Sequence, residues 1–165
     1  MFLRKQKFEG LALESAFLWG ARQTGKSTLL KMLYPHSYFI DLLLSDIYER
    51  FQRQPNLLRE ILPTLADNTM IIIDEIQRIP RLLNEVHWCI TNKNTQFILS
   101  GSSPRNILRS GANLLGGRAI RHELYPLIYT EIPNFDLLKA LNCGLLPRHY
   151  LSSNPKKLHS AYIGS

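Results

Sequence analysis

The stretch GARQTGKSTLL, Gly20 to Leu30, follows directly on the apolar run AFLW, Ala16 to Trp19. Gly20, Gly25, Lys26 and Ser27 satisfy the spacing G-x-x-x-x-G-K-[ST]. At that spacing the glycines let the backbone turn tightly and aim successive N–H groups at phosphate oxygens. The helix that follows presents its positive dipole end to the same anion. The backbone of Gly20, Ala21, Arg22, Gln23, Thr24, Gly25, Lys26, Ser27 and Thr28 then cradles a nucleotide phosphate, with the Arg22 side chain pointing outward. Lys26 reaches the β- and γ-phosphates, and the Ser27 hydroxyl ligates Mg2+. The plainer alternative is a glycine-rich strand-to-helix turn with an exposed lysine.

A phosphate-bound magnesium also needs a carboxylate at the end of a neighbouring strand. MIIIDEIQRIP offers Asp74 where the run Met70 to Ile73 ends, with Glu75 next to it. An acid in that position can polarise the attacking water, which separates a hydrolase from a mere binder. The alternative is an ordinary polar strand exit. In QFILSGSS either Ser100 or Ser102 stands where a hydroxyl could sense the γ-phosphate, and a Ser/Gly turn is an equally good reading of the same residues. Arg118, after LLGG, is placed like an arginine finger completing the site of a neighbouring subunit, with a solvated surface arginine as the alternative. Arg78 follows Gln77 and is expected to touch a partner or the adjacent helix.

Four apolar runs of strand length, AFLW, SYFIDL, MIIID and QFILS, are each bounded by turn or polar residues, and AIRHEL (Ala119 to Leu124) alternates like an edge strand. Between them, Leu29, Leu30 and Leu33, and then Leu82, Leu83, Val86 and Ile90, recur at helical spacing. Residues 45–65 read as two helices or one broken at QPN. Alternating strands and helices predict an α/β fold with a parallel sheet covered on both faces and MIIID at its centre. We place the core at residues 1–125. Residues 126–165 form a Pro-punctuated tail in which only NFDLLKALN has helical character, and KKLHSAYI opens a further helical pattern just before the chain ends.

The chain has 165 residues, 45% of them hydrophobic, enough for one ordinary core. Cys89 and Cys143 have no metal-like spacing, and the five histidines show none either. No apolar run approaches the roughly 20 residues that span a bilayer, so a cytoplasmic protein without membrane contact is expected. The net charge of +7 is spread among apolar residues without interleaved aromatics, which admits a nucleic-acid partner without requiring one.

FLWGARQTGKSTLL, MIIIDEIQRIPRLL, QFILSGSSPRNI and LLGGRAIRHELYPLIYTEI occur in that order, and together they resemble the AAA-type ATPases of bacteria and archaea that carry a C-terminal domain of unknown function. The resemblance implies a P-loop NTPase sheet in the order 5-1-4-3-2, with Gly20 to Ser27 as Walker A, Asp74 and Glu75 as Walker B, sensor 1 in SGSS, and Arg118 as the family's GR arginine. Ala21 stands where the family often has proline, and Ser27 where it often has threonine. The family continues after AYI into a further domain, which this chain lacks. Adenine is preferred on the resemblance alone, since TNKNTQ only superficially suggests a guanine-reading motif. The expectation is therefore a Mg2+-dependent ATP hydrolase, slow in isolation, with Glu75, Lys26, Ser100, Ser102 and Arg118 in catalysis and a homo-oligomer formed through Arg118. The alternatives are a nucleotide-gated switch that contacts DNA or protein, and a vestigial fragment that does neither.

Overall fold

The first strand, β1 (Ser15–Trp19), is buried along its whole length, as are β3 (Ile71–Asp74) and β4 (Phe97–Gly101). In the computed structural model, which describes residues 2–5, 14–105, 107, 115–152, 154 and 158, these three strands lie inside a five-stranded sheet. The half-exposed β2 (Tyr38–Asp41) and β5 (Ala119–Glu123) form its edges. The order is β2-β3-β4-β1-β5 and every pairing is parallel. Read from the other edge this is 5-1-4-3-2, as expected. MIIID does not form the centre. That place belongs to β4, and β3 lies between it and the edge strand. Both strands have neighbours on two sides and are equally apolar, so hydropathy cannot rank them.

Side-chain alternation along the strands divides the core in two. Phe17 and Trp19, Ile71 and Ile73, and Phe97 and Leu99 face one way and pack with Phe51 of α2 (Ser45–Arg53), Leu57 and Leu58 of α3 (Leu57–Ile61), and Leu82, Leu83 and Val86 of α4 (Leu82–Lys93). Ala16, Leu18, Ile72 and Ile98 face the other way, under Leu29 and Leu30 of α1 (Lys26–Leu33). Residues 45–65 thus contain two helices, with a 3-10 turn at Leu62–Thr64 after the second. Leu33, on the last turn of α1, is exposed.

Beyond the sheet, α5 (Leu137–Cys143) falls in the helical segment expected from NFDLLKALN, capped by Asp136, whose side chain accepts from Lys139 N at 3.0 Å. A second helix, α6 (Pro147–Leu151), was not expected. Its proline opens the first turn, where a missing N–H costs nothing and the fixed φ already suits the helix. Leu127, Ile132, Ala140 and Tyr150 form a small separate core with Phe2 packed against it. The helical pattern expected over KKLHSAYI lies outside the described residues, apart from Leu158.

Arg4 ties this segment to the rest. Its Nε lies 3.3 Å from Glu131 Oε2, with both side chains almost fully buried. Its Nη1 donates to Thr24 O at 3.2 Å and its Nη2 to Tyr125 O. Glu131 also accepts from Lys5 N at 2.7 Å and Ile128 N at 3.2 Å. Removing one member of such a pair leaves a buried charge uncompensated. Glu131→Ala is therefore expected to lower unfolding free energy by about 3–5 kcal/mol in urea titration, and Glu131→Gln, which keeps an acceptor, by less.

Candidate nucleotide site

Trp19 is the last residue of β1, and the chain leaves the sheet through Gly20. A Cβ on Gly20 would lie 2.3 Å from the Leu124 carbonyl oxygen, so only glycine lets the exit run past β5. The loop then turns through left-handed conformations at Gln23 (φ 65°) and Gly25 (φ 92°). Gly25 is the N-cap of α1, and Leu29 N donates to its carbonyl at 2.9 Å. Thr24 is buried and its Oγ1 donates to Ala21 O at 2.9 Å, which braces the turn from within. Ala21, Arg22, Gln23 and Thr28 are exposed.

Lys26, the first residue of α1, is 5% exposed. Its Nζ donates to Gly20 O at 2.8 Å and Ala21 O at 3.1 Å, which holds the ammonium over the loop. Burial lowers its pKa from the ordinary 10.5, while the nearby Glu75 and Asp74 carboxylates pull the other way. The strand registers bring these groups together. Ile73 lies beside Leu99, and Leu18 beside Ser100, so the carboxyl ends of β1, β3 and β4 meet at one edge. Asp74, 1% exposed, accepts from Ser27 Oγ on one oxygen and from Ser100 Oγ on the other.

The two serines of QFILSGSS therefore do different things. Ser100 is fully buried and its hydroxyl is spent on Asp74. Ser102 lines a cavity of about 700 Å³ together with Gly25, Lys26, Ser27, Glu75 and Gln77. Glu75 adopts a left-handed conformation (φ 59°, ψ 42°), which costs a residue with a Cβ about 1–2 kcal/mol. That strain turns the chain from β3 into a 3-10 turn, Ile76–Arg78, over the end of the sheet. Arg78 donates to Leu42 O and stacks over the Tyr48 ring, with its guanidinium carbon 4.5 Å from the ring centroid. It thus engages the adjacent helix, one of its two expected neighbours.

The strand pairings place two further residues. Gln77, not singled out as a site residue, donates from Nε2 to Glu75 Oε2 and to Ser102 Oγ at 3.3 Å. No motif marks it. Its proximity to β4 arises only once β3 and β4 pair. Arg118 is exposed and far from the loop of its own chain. Ala119 lies beside Ser15 and Glu123 beside Trp19, so Arg118 precedes the amino end of β5 while the loop follows the carboxyl end of β1. Five residues at about 3.3 Å each separate them.

A second hollow of about 520 Å³ lies at the opposite end of β3 and β4, lined by residues such as Asp67, Asn68, Asn94 and Thr95. It holds none of the residues above. Trp19 is buried in the core and stacked on Phe17, and burial pushes the Cys89 thiol up to about 11. Among the described residues no three His, Cys, Asp or Glu side chains cluster as metal ligands, and no helix is long and apolar enough to cross a membrane.

An uncharacterized protein of Haemophilus influenzae is 27% identical over 124 residues, which cover 68% of this chain and 31% of that protein. The chain thus spans about a third of the length of the relative it matches. Among solved structures, the Aeropyrum pernix ORC1 protein in complex with DNA aligns over 79% of this chain and 48% of its own, at 16% identity and a TM-score of 0.49. The Thermotoga maritima RuvB Holliday junction branch migration motor aligns over 73% and 40%, at 21% identity and 0.48. Residues 14–133, from the start of β1 past the end of β5, match the family described as AAA domain. With the phosphate-loop sequence, the all-parallel 2-3-4-1-5 sheet and this match over most of its length, the chain belongs to the AAA domain family, a nucleotide-binding P-loop fold.

Proposed function

We propose that this chain is a Mg2+-dependent ATP-hydrolysing module of AAA type. The observation that carries the reading is the convergence of side chains at one edge of the sheet: Lys26, Ser27 and Glu75 line one polar cavity, and the buried Asp74 accepts a hydrogen bond from Ser27 behind its wall. The loop N–H groups and the Lys26 ammonium neutralise phosphate charge. Ser27 and Asp74 would hold magnesium: one hydroxyl and one carboxylate suit an ion that shares its remaining ligands with phosphate and water. Magnesium would supply further positive charge where negative charge develops on the transferred phosphoryl group. Ser100 keeps Asp74 oriented by its hydrogen bond. Glu75 accepts the proton of the attacking water as that water bonds to the γ-phosphorus and the bond from phosphorus to the β,γ-bridging oxygen breaks, giving ADP and phosphate.

An amide cannot take that proton. Glu75→Gln is accordingly expected to leave ATP affinity nearly unchanged and to lower turnover by at least about tenfold. Steady-state phosphate release alongside equilibrium ATP binding checks this, and equal turnover would move the base elsewhere.

A second reading is favoured by the net charge of +7: ATP occupancy switches contact with an acidic partner such as DNA, with little turnover. It predicts ATP-dependent DNA retention that falls steeply with salt, alongside a Glu75→Gln variant no slower than the parent. Cytoplasmic location and assembly through Arg118 belong to the main reading.

A further inference from the structure

We propose that Gln77 is a positioning residue that aims Glu75 and couples it to the end of β4. The inference rests on the ATPase reading above. A carboxylate only accepts hydrogen bonds, so the Gln77 amide must present its nitrogen, and that one nitrogen reaches both Glu75 Oε2 and Ser102 Oγ. The orientation leaves Gln77 Oε1 buried without a hydrogen-bond partner. A side chain present for packing alone would be better served by an apolar residue of the same shape.

The surroundings are cut to fit that amide. A Cβ on Gly101 would lie 2.1 Å from Gln77 Oε1 and 2.7 Å from the Trp19 ring, so a bare Cα on β4 makes the room that Gln77 occupies. The 3-10 turn brings the amide back over the strand end, and the left-handed backbone of Glu75 starts that turn. Gln77 engages Oε2 only, and among the described residues no side chain or backbone N–H donates to Glu75 Oε1, which leaves that oxygen for the water. Glu75 follows β3 and Ser102 follows β4. A shift of the β4 end is therefore passed through the Gln77 amide to the catalytic carboxylate.

The test is steady-state ATP turnover by the full chain for the parent, Gln77→Ala, Glu75→Gln and the double variant, with thermal denaturation of each. The expected result is a kcat lowered about tenfold by Gln77→Ala with KM for ATP unchanged, and a double variant no slower than Glu75→Gln alone. Loss that multiplies with that of Glu75→Gln would mark Gln77 as merely structural, and unchanged or faster turnover would show that it does not aim Glu75. Each of these overturns the proposal. If Gln77→Ala does not fold, Ser102→Ala removes the far anchor instead. Its kcat is expected to fall about threefold at constant KM, and no change overturns the coupling. A parent chain without Glu75-dependent turnover overturns the ATPase reading and this inference together. Glu75-dependent turnover that ignores Gln77 overturns only the inference.

Discussion

Lys26→Ala is expected to lower ATP affinity by at least about 100-fold while leaving the folded sheet in place. Hydrogen bonds to charged groups contribute about 1.5–3 kcal/mol each, and each 1.4 kcal/mol is tenfold in affinity. The Lys26 ammonium already spans two loop carbonyls, at 2.8 and 3.1 Å, and sits over the turn that the phosphates would enter. Of those carbonyls, Ala21 belongs to an exposed residue and Gly20 to a half-buried one, so truncation leaves water within reach and the midpoint of thermal unfolding should hardly move. Titration calorimetry checks the affinity, and equal binding by variant and parent would end the phosphate-loop assignment. The same residue sets a pH dependence. Burial lowers the Lys26 pKa, and bound phosphate favours the ammonium and raises it again. Affinity is then complete below the lowered pKa of the free protein and declines as pH rises from there toward the higher pKa of the complex. The decline should therefore begin below 10.5, the value of an ordinary lysine.

Arg118→Ala is expected to lower turnover of the assembled protein by roughly 10³-fold or more, the cost of losing an arginine finger in phosphoryl transfer. ATP binding by the single subunit should be unchanged. The prediction follows from our proposal that Arg118 acts on another copy of the chain, and the sheet supplies the geometric argument. Arg118 stands at the amino end of β5 and the loop at the carboxyl end of β1, a strand length apart, so it cannot serve its own site. Turnover per subunit should rise with protein concentration for the parent and stay low and flat for Arg118→Ala. A concentration-independent rate that survives the substitution would reduce Arg118 to a solvated surface residue.

These predictions draw on two kinds of information. The phosphate loop was legible because its requirements are local. Gly25 must be glycine-like for a φ of 92°, Lys26 and Ser27 follow it in sequence, and a buried strand and an amphipathic helix flank it. That Asp74 and Glu75 stand at the exit of a buried strand was legible because they directly follow four apolar residues. Strand order came from resemblance to a family rather than from hydropathy, and hydropathy alone misplaced β3 at the centre.

What a residue does across strands was not legible. Ser100 and Ser102 are two residues apart, so side-chain alternation does not separate them; Ser100 lies within β4 and is given to Asp74, while Ser102 lies past the end of the strand, at the cavity wall. Gln77 and Gly101 lie 24 positions apart and carry no periodic signal, yet one makes room for the other. The Arg4 and Glu131 pair joins the N-terminal segment to the stretch that follows β5. The sequence by itself determined the α/β class, the loop and the acids beside it, because backbone sterics and the period of side-chain burial act over a few neighbouring residues. Only the tertiary structure decided which hydroxyl meets Asp74, what holds Glu75, and that Arg118 lies a strand length from its own loop, because parallel pairing brings together residues whose contacts no local pattern encodes.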